Sequence, residues 1–119
     1  VHDLLEGPVP GHFDAVFSLD VLEHILPEKE GLFIENSLRS LDTNGMAIFG
    51  MPSLESQKYA SAQSSAGHVN CKSGGEFMQV MSAYFHNVIV FSMNDEVIHT
   101  GFFPMAQYLM ALGFGKKRS

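Results

Sequence analysis

The sequence predicts an α/β domain whose sheet is mostly parallel, with an antiparallel strand near the C-terminus. Three observations carry that expectation. Two short apolar runs, 13–18 and 45–51, flank a segment of helical period, and strand, helix, strand in that order is a crossover joining parallel neighbours. A second helix-period segment, 76–85, leads directly into a third apolar run, 87–92. The chain has 119 residues, 45% hydrophobic and 17% charged, which supplies one core and not two, so residues 1–119 read as a single domain.

The first strand, Phe13-Asp14-Ala15-Val16-Phe17-Ser18, follows the breaker cluster Gly7-Pro8-Val9-Pro10-Gly11 and is nearly continuous in apolar character, as strands covered on both faces are. Residues 28–41 place Phe33, Ile34, Leu38 and Leu41 three and four apart, and Pro27 suits the first turn of that helix. The strand 45–51 follows Asp42-Thr43-Asn44-Gly45, which reads as a turn, and stops at Pro52. Residues 53–72 are rich in Ser, Ala and Gln without an apolar period, and read as a long loop with a short helical stretch near 55–62. Such loops inside small domains are commonly functional. Ser73, three residues before Glu76, makes a capping box for a helix whose inner face is Phe77, Val80, Met81 and Tyr84. The strand 87–92 is followed by a turn at Met93-Asn94-Asp95 and a weaker extended piece at 97–100. Residues 107–114 fit a strand or a helix by pattern alone.

Seven Lys and Arg stand against 13 Asp and Glu, a formal charge of −6, and Lys116, Lys117 and Arg118 crowd one end. Lys29, Arg39, Lys58 and Lys72 cannot assemble a phosphate-binding surface, so nucleic acid is not an expected partner. The basic end reads as a solvated tail. A single cysteine, Cys71, forms no internal disulfide and reads as a buried or idle thiol, which fits a reducing, cytoplasmic setting. No apolar run approaches the roughly 18 residues of a membrane span. The start at Val1, without an initiator Met or a leader pattern, suggests the later part of something longer.

The most specific stretch is Phe13-Asp14-Ala15-Val16-Phe17-Ser18-Leu19-Asp20-Val21-Leu22-Glu23-His24-Ile25. It resembles the fourth-strand region of class I S-adenosylmethionine-dependent methyltransferases, an FDxV strand followed by a short helix reading D/E-x-L-E-H. The order downstream is similar too: a helix ending in Leu, an Asn-Gly turn, an apolar strand closed by Pro52, and Gly67-His68-Val69-Asn70 before the next helix. The resemblance implies an incomplete Rossmann-like sheet, with a strand for 107–114. It implies methyl transfer from S-adenosylmethionine to a small-molecule acceptor. Ser18, Leu19 and Asp20 would lie beneath the methionine part of the cofactor, and Asp3 would face its adenine. The family's glycine-rich loop and ribose carboxylate have no counterpart in this chain, so the resemblance is to a C-terminal half that binds the cofactor weakly or not at all.

On a helix, Asp20, Glu23 and His24 at i, i+3 and i+4 share one face and converge on one cation or one substrate proton, with Glu23 and His24 as the catalytic candidates. The ubiquinone-pathway O-methyltransferases and the small-RNA ribose methyltransferases use a similar E-x-x-E-H block with a distal His to bind a divalent metal. That resemblance implies the ligands Asp20, Glu23, His24 and His68, a mixed oxygen and nitrogen set suited to Mg, Mn or Zn. The same residues also fit a capping box, Asp20 as N-cap with Glu23 at its third position and His24 lining a pocket, and His68 fits a solvated loop histidine. Phe102-Phe103-Pro104-Met105 suits either an apolar acceptor pocket or core filler. A different class of reading is a non-catalytic α/β module for interaction or oligomerisation. In the complete fold the 13–18 strand is central, so a bare edge here predicts self-association, as a dimer.

Overall fold

The computed structural model describes residues 1–118. Among the described residues, five strands and three helices follow in the order β1 (Phe13–Leu19), α1 (Glu30–Arg39), β2 (Leu41–Pro52), α2 (Ala62–Gly67), α3 (Gly74–Ser82), β3 (Phe85–Asn94), β4 (Val97–His99) and β5 (Tyr108–Lys116). They form one sheet in the order β1-β2-β5-β3-β4. β1, β2 and β3 run in one direction, and β5 runs against them between β2 and β3. Three of the five strands thus share a direction, but β5 enters antiparallel between β2 and β3, and β4 pairs with β3 as a hairpin, so β1–β2 is the parallel strand pairing among the described residues. The ambiguous segment 107–114 is this strand.

Local chemistry explains most element ends. Ser73 caps α3 as the sequence predicts: its Oγ accepts from the Glu76 amide at 3.2 Å and donates to the Glu76 carboxylate at 2.9 Å. Ser61 caps α2 in the same way, accepting from the Ser64 amide. The 27–29 segment is a 3₁₀ turn with Pro27 at its start, and α1 begins only at Glu30. Asp42-Thr43-Asn44-Gly45 is not a turn. It lies within β2 as an irregularity, where the pairing steps from Phe13–Leu41 to Ala15–Met46 and takes up the extra residues.

The sheet is apolar on both faces, and α1 and α3 cover one of them. Ala47, Phe49, Met51, Leu109, Ala111 and Val90 are buried there against Phe33, Ile34, Leu38, Phe77 and Met81. The register aligns the other face in rows: Ala15, Met46, Phe114 and Asn87; then Phe17, Ile48, Leu112 and Ile89; then Leu19, Gly50, Met110 and Phe91. No charged residue stands in these rows, and Phe17 is 75% exposed. The sequence expectation of a first strand covered on both faces is not met among the described residues: Phe13, Phe17 and Leu19 of β1 are exposed, because α1 and α3 lie on the other face of the sheet.

The basic end is not a solvated tail. Lys116 closes β5, and its Nζ donates to the carbonyls of Leu38 and Leu41, at 3.0 and 2.6 Å. Lys117 donates to the carbonyl of Ser82 at the C-terminal turn of α3, where partial negative charge gathers.

Candidate active site at the carboxyl ends of β1 and β2

The chain leaves β1 through Asp20, whose φ of 59° lies in the left-handed region that Asp tolerates better than most residues. Its amide still donates to Gly50 O at 3.1 Å, extending the β1–β2 ladder by one bond. The next turn, Leu22–His24, is a single 3₁₀ turn capped by Val21 without a side-chain bond. The expected capping box is therefore absent: Asp20 lies before the cap with a backbone that cannot start a helix. The turn ends at once because Leu26 precedes Pro27 and is held extended, so the i, i+3, i+4 face never forms.

What gathers instead is Glu23, His24 and His68. Their ligand-type atoms all lie within 4.8 Å of one another, and Asp20 is not one of this group, a correction to the expected four-ligand set. The juxtaposition comes from the 53–72 loop folding back onto the 3₁₀ turn. The carbonyl of Glu23 accepts from the amides of both Val69 and Asn70, at 2.9 and 3.0 Å, which fixes His68 beside it. The two imidazoles face each other with centroids 5.1 Å apart and planes tilted by 59°. His68 is consequently half-buried rather than a solvated loop histidine.

Hydrogen bonds fix the imidazole tautomers. His24 Nδ1 donates to Gly67 O at 2.7 Å, and His68 Nδ1 donates to Gln57 Oε1 at 2.8 Å. Both acceptors lack a proton to give, so in the neutral rings each Nε2 carries a lone pair. Glu23 is 1% exposed, its Oε2 lies 4.0 Å from His24 Nε2, and its Oε1 has no hydrogen-bond partner. Burial pushes its carboxyl above the usual value. The Asp20 carboxylate adds to that effect, while a backbone hydrogen bond and the two histidines oppose it.

A buried ion pair holds the loop from behind. Lys72 Nζ lies 2.6 Å from Glu30 Oε1, and Asn70 joins the two, donating to Glu30 at 2.9 Å and accepting from Lys72 at 3.2 Å. Cys71, between them, has its thiol pushed up to about 11, chiefly by burial and then by Glu23, so it stays a thiol at neutral pH.

Tyr108 was not legible as a site residue, because nothing within its own segment marks it. It enters through Gly50: a Cβ there would stand 2.8 Å from the Tyr108 hydroxyl and from a Leu19 methyl, so the glycine lets the phenol reach the end of β1. Burial pushes the Tyr108 hydroxyl pKa up, and Asp20 pushes it further. Ser18 and Leu19 stand at the same strand end, Ser18 Oγ being shielded and without a partner. Asp3 does not join them. Its carboxylate accepts from the Leu5 amide at 2.8 Å and closes a turn at the N-terminus. Phe102 and Met105 are 69% and 72% exposed rather than core filler, whereas Phe103 packs on the core.

A sheet in which β5 enters antiparallel between two like-directed strands, with polar groups at the carboxyl ends of β1 and β2, is the Rossmann-like methyltransferase fold, and this chain has it. Solved structures with this fold include the small RNA methyltransferase HEN1 (TM-score 0.68, 18% identity, 95% of this chain and 15% of that one). Two others are a DhpI–SAH complex (0.61, 17%, 93% and 51%) and the N-methyltransferase NodS from Bradyrhizobium japonicum WM9 with S-adenosyl-L-homocysteine (0.60, 17%, 95% and 51%). The chain thus spans about half or less of the length of these structures. No protein-family model and no curated protein matches the sequence. No helix among the described residues is long and apolar enough to cross a membrane.

Proposed function

We propose that this chain forms the acceptor-handling half of an S-adenosylmethionine-dependent methyltransferase that acts on a small molecule. The observation that carries the reading is the pair of imidazoles whose Nε2 lone pairs are set free beside Glu23 at the sheet's ligand end. In methyl transfer the acceptor's bond to carbon forms as the sulfonium's bond to carbon breaks. The protein's task is alignment and removal of the acceptor's proton. In this reading His24 Nε2 takes that proton, and Glu23, whose Oε2 lies 4.0 Å away, stabilises the imidazolium. Ser18, Leu19 and Asp20 are the candidate contacts to the methionine part of the cofactor.

The cluster also suits a divalent cation. Glu23, His24 and His68 would hold it, each histidine through Nε2 with its Nδ1–H anchored on a carbonyl oxygen, the usual outer support of a ligating imidazole. Such a cation would acidify an acceptor hydroxyl.

Because the glycine-rich loop and ribose carboxylate have no counterpart here, cofactor affinity is expected to be weak. Titrating the 119-residue chain with S-adenosylhomocysteine should give an affinity no tighter than about 100 μM. Amide resonances of Ser18–Asp20 should shift first. Low-micromolar affinity overturns the expectation of weak binding. Saturation without shifts at Ser18–Asp20 overturns the methyltransferase reading in favour of a non-catalytic α/β module.

We also propose that the 119-residue chain on its own self-associates as a dimer through its uncovered sheet face and the free edge of β1. Phe13, Phe17, Leu19, Met46, Ile48 and Ile89 are between 39% and 75% exposed. They lie together on one sheet face, and a standard interface buries about 800 Å² per partner. Two copies of a chain with charge −6 meet without like-charge contact through this uncharged face. Light scattering should give a mass above 13.1 kDa, and Phe17→Lys should lower it. A monomer at micromolar concentration overturns the proposal.

A further inference from the structure

A cavity of about 880 Å³ opens between the 53–68 loop, the β3–β4 turn and the Phe103–Met105 turn, sharing His68 with the cluster above and lined also by Tyr108. Its walls combine apolar surface with acid. Tyr59 and Met105 are 81% and 72% exposed, so a broad aromatic ring and an adaptable thioether line the opening without serving the core. The charged side chains on the walls are Glu55 and Asp95 against Lys58. One Glu55 oxygen, Oε2, is shielded and has no hydrogen-bond partner. Lys58 turns its ammonium over the Tyr59 ring, 5.0 Å from the centroid, so this ring face already accommodates a cation. Beyond Tyr108 stand two further carboxylates, Asp20 and Glu23, whose field reaches the phenol.

An ammonium placed here finds a carboxylate and an aromatic face, whereas a phosphate or carboxylate finds one lysine among acids. Building on the methyl-transfer reading, we propose that the cavity takes acceptors that join a flat apolar body to an amine, an arylalkylamine being the simplest, and that it rejects anionic acceptors, nucleic acid included. The ammonium pairs with Glu55 and Asp95, and the body lies over Tyr59 and Met105 and displaces Lys58 from the ring.

The test needs neither cofactor nor metal. The 119-residue chain, in chelator at pH 7, is titrated by NMR with tyramine, with 4-hydroxyphenylacetate and with a uridine decamer. Tyramine should shift resonances at Glu55, Tyr59, Asp95 and Met105 and bind about fivefold or more tightly than the acid, as expected for ion pairing at a half-exposed site. Glu55→Gln, and independently Asp95→Asn at an exposed position, should each weaken tyramine while leaving the acid unweakened. Equal binding of amine and acid, decamer shifts in the cavity, indifference of tyramine to both variants, or no binding by any probe overturns the proposal. An amine preference in a chain that S-adenosylhomocysteine saturates without shifting Ser18–Asp20 would leave this site standing and remove the methyl-transfer reading.

Discussion

Exchanging Glu23 for glutamine is expected to raise the melting temperature in chelator at pH 7 and to lower it, relative to the parent, in millimolar Mn²⁺. Glu23 is 1% exposed with one oxygen unpartnered, and burial raises its carboxyl pKa above the ordinary 4.5 of a glutamate. The folded chain therefore holds this proton more tightly than the unfolded one. Its contribution to stability is complete below about pH 4.5 and is lost as pH climbs through the raised folded value. At pH 7 burying this carboxyl is a net cost, on the order of 1–3 kcal/mol for a buried polar group left unsatisfied, and the neutral amide relieves part of it. The gain should shrink towards zero at pH 4, where the parent is protonated as well. With metal the sign reverses: a ligand present at a hundred times its Kd stabilises by about 2.7 kcal/mol, and the variant lacks the anionic ligand. Melting curves at pH 4 and 7, with chelator and with Mn²⁺, check both halves. The same order of melting temperatures with and without Mn²⁺ would remove Glu23 from any metal site, and a parent that is the more stable in chelator at pH 7 would show that the carboxylate is already compensated.

Lys72→Met is expected to cost about 3–5 kcal/mol, the range for breaking one side of a buried ion pair. Lys72 is 8% exposed, and its loss leaves the Glu30 carboxylate with only the Asn70 amide and takes the donor from Asn70 Oδ1. The consequence reaches the site, because Asn70 and Val69 hang on the Glu23 carbonyl and carry His68 with them. Adding Glu30→Leu should recover much of the loss, since a buried pair replaced by apolar groups of similar size is often neutral. Urea denaturation of the parent, the single and the double variant checks this. A single variant within about 1 kcal/mol of the parent would show that the pair is solvated and does not hold the loop.

Features set by neighbours a few residues apart were legible in the sequence. The capping box at Ser73 and Glu76, the inner helical faces of Phe33, Ile34 and Leu38 and of Phe77 and Met81, and the apolar runs of β1, β2 and β3 all appear where local period and side-chain-to-backbone bonding place them. The same local reading failed at Asp20, where a residue with good capping chemistry takes a left-handed backbone while its amide remains in the sheet ladder. It failed at 42–45, where turn-forming residues became an irregular length of strand because β1 offers them a partner. Which histidine meets which is set by long-range contacts. His24 and His68 are 44 residues apart, and Tyr108 reaches the end of β1 because β5 pairs with β2 with glycine at position 50. A sheet's hydrogen bonds are satisfied by whichever strand lies alongside, and no periodicity within a strand names its neighbour. The members of the candidate site are therefore present in the sequence as residue types, and their encounter is a product of long-range strand pairing and of a loop pinned by one buried ion pair.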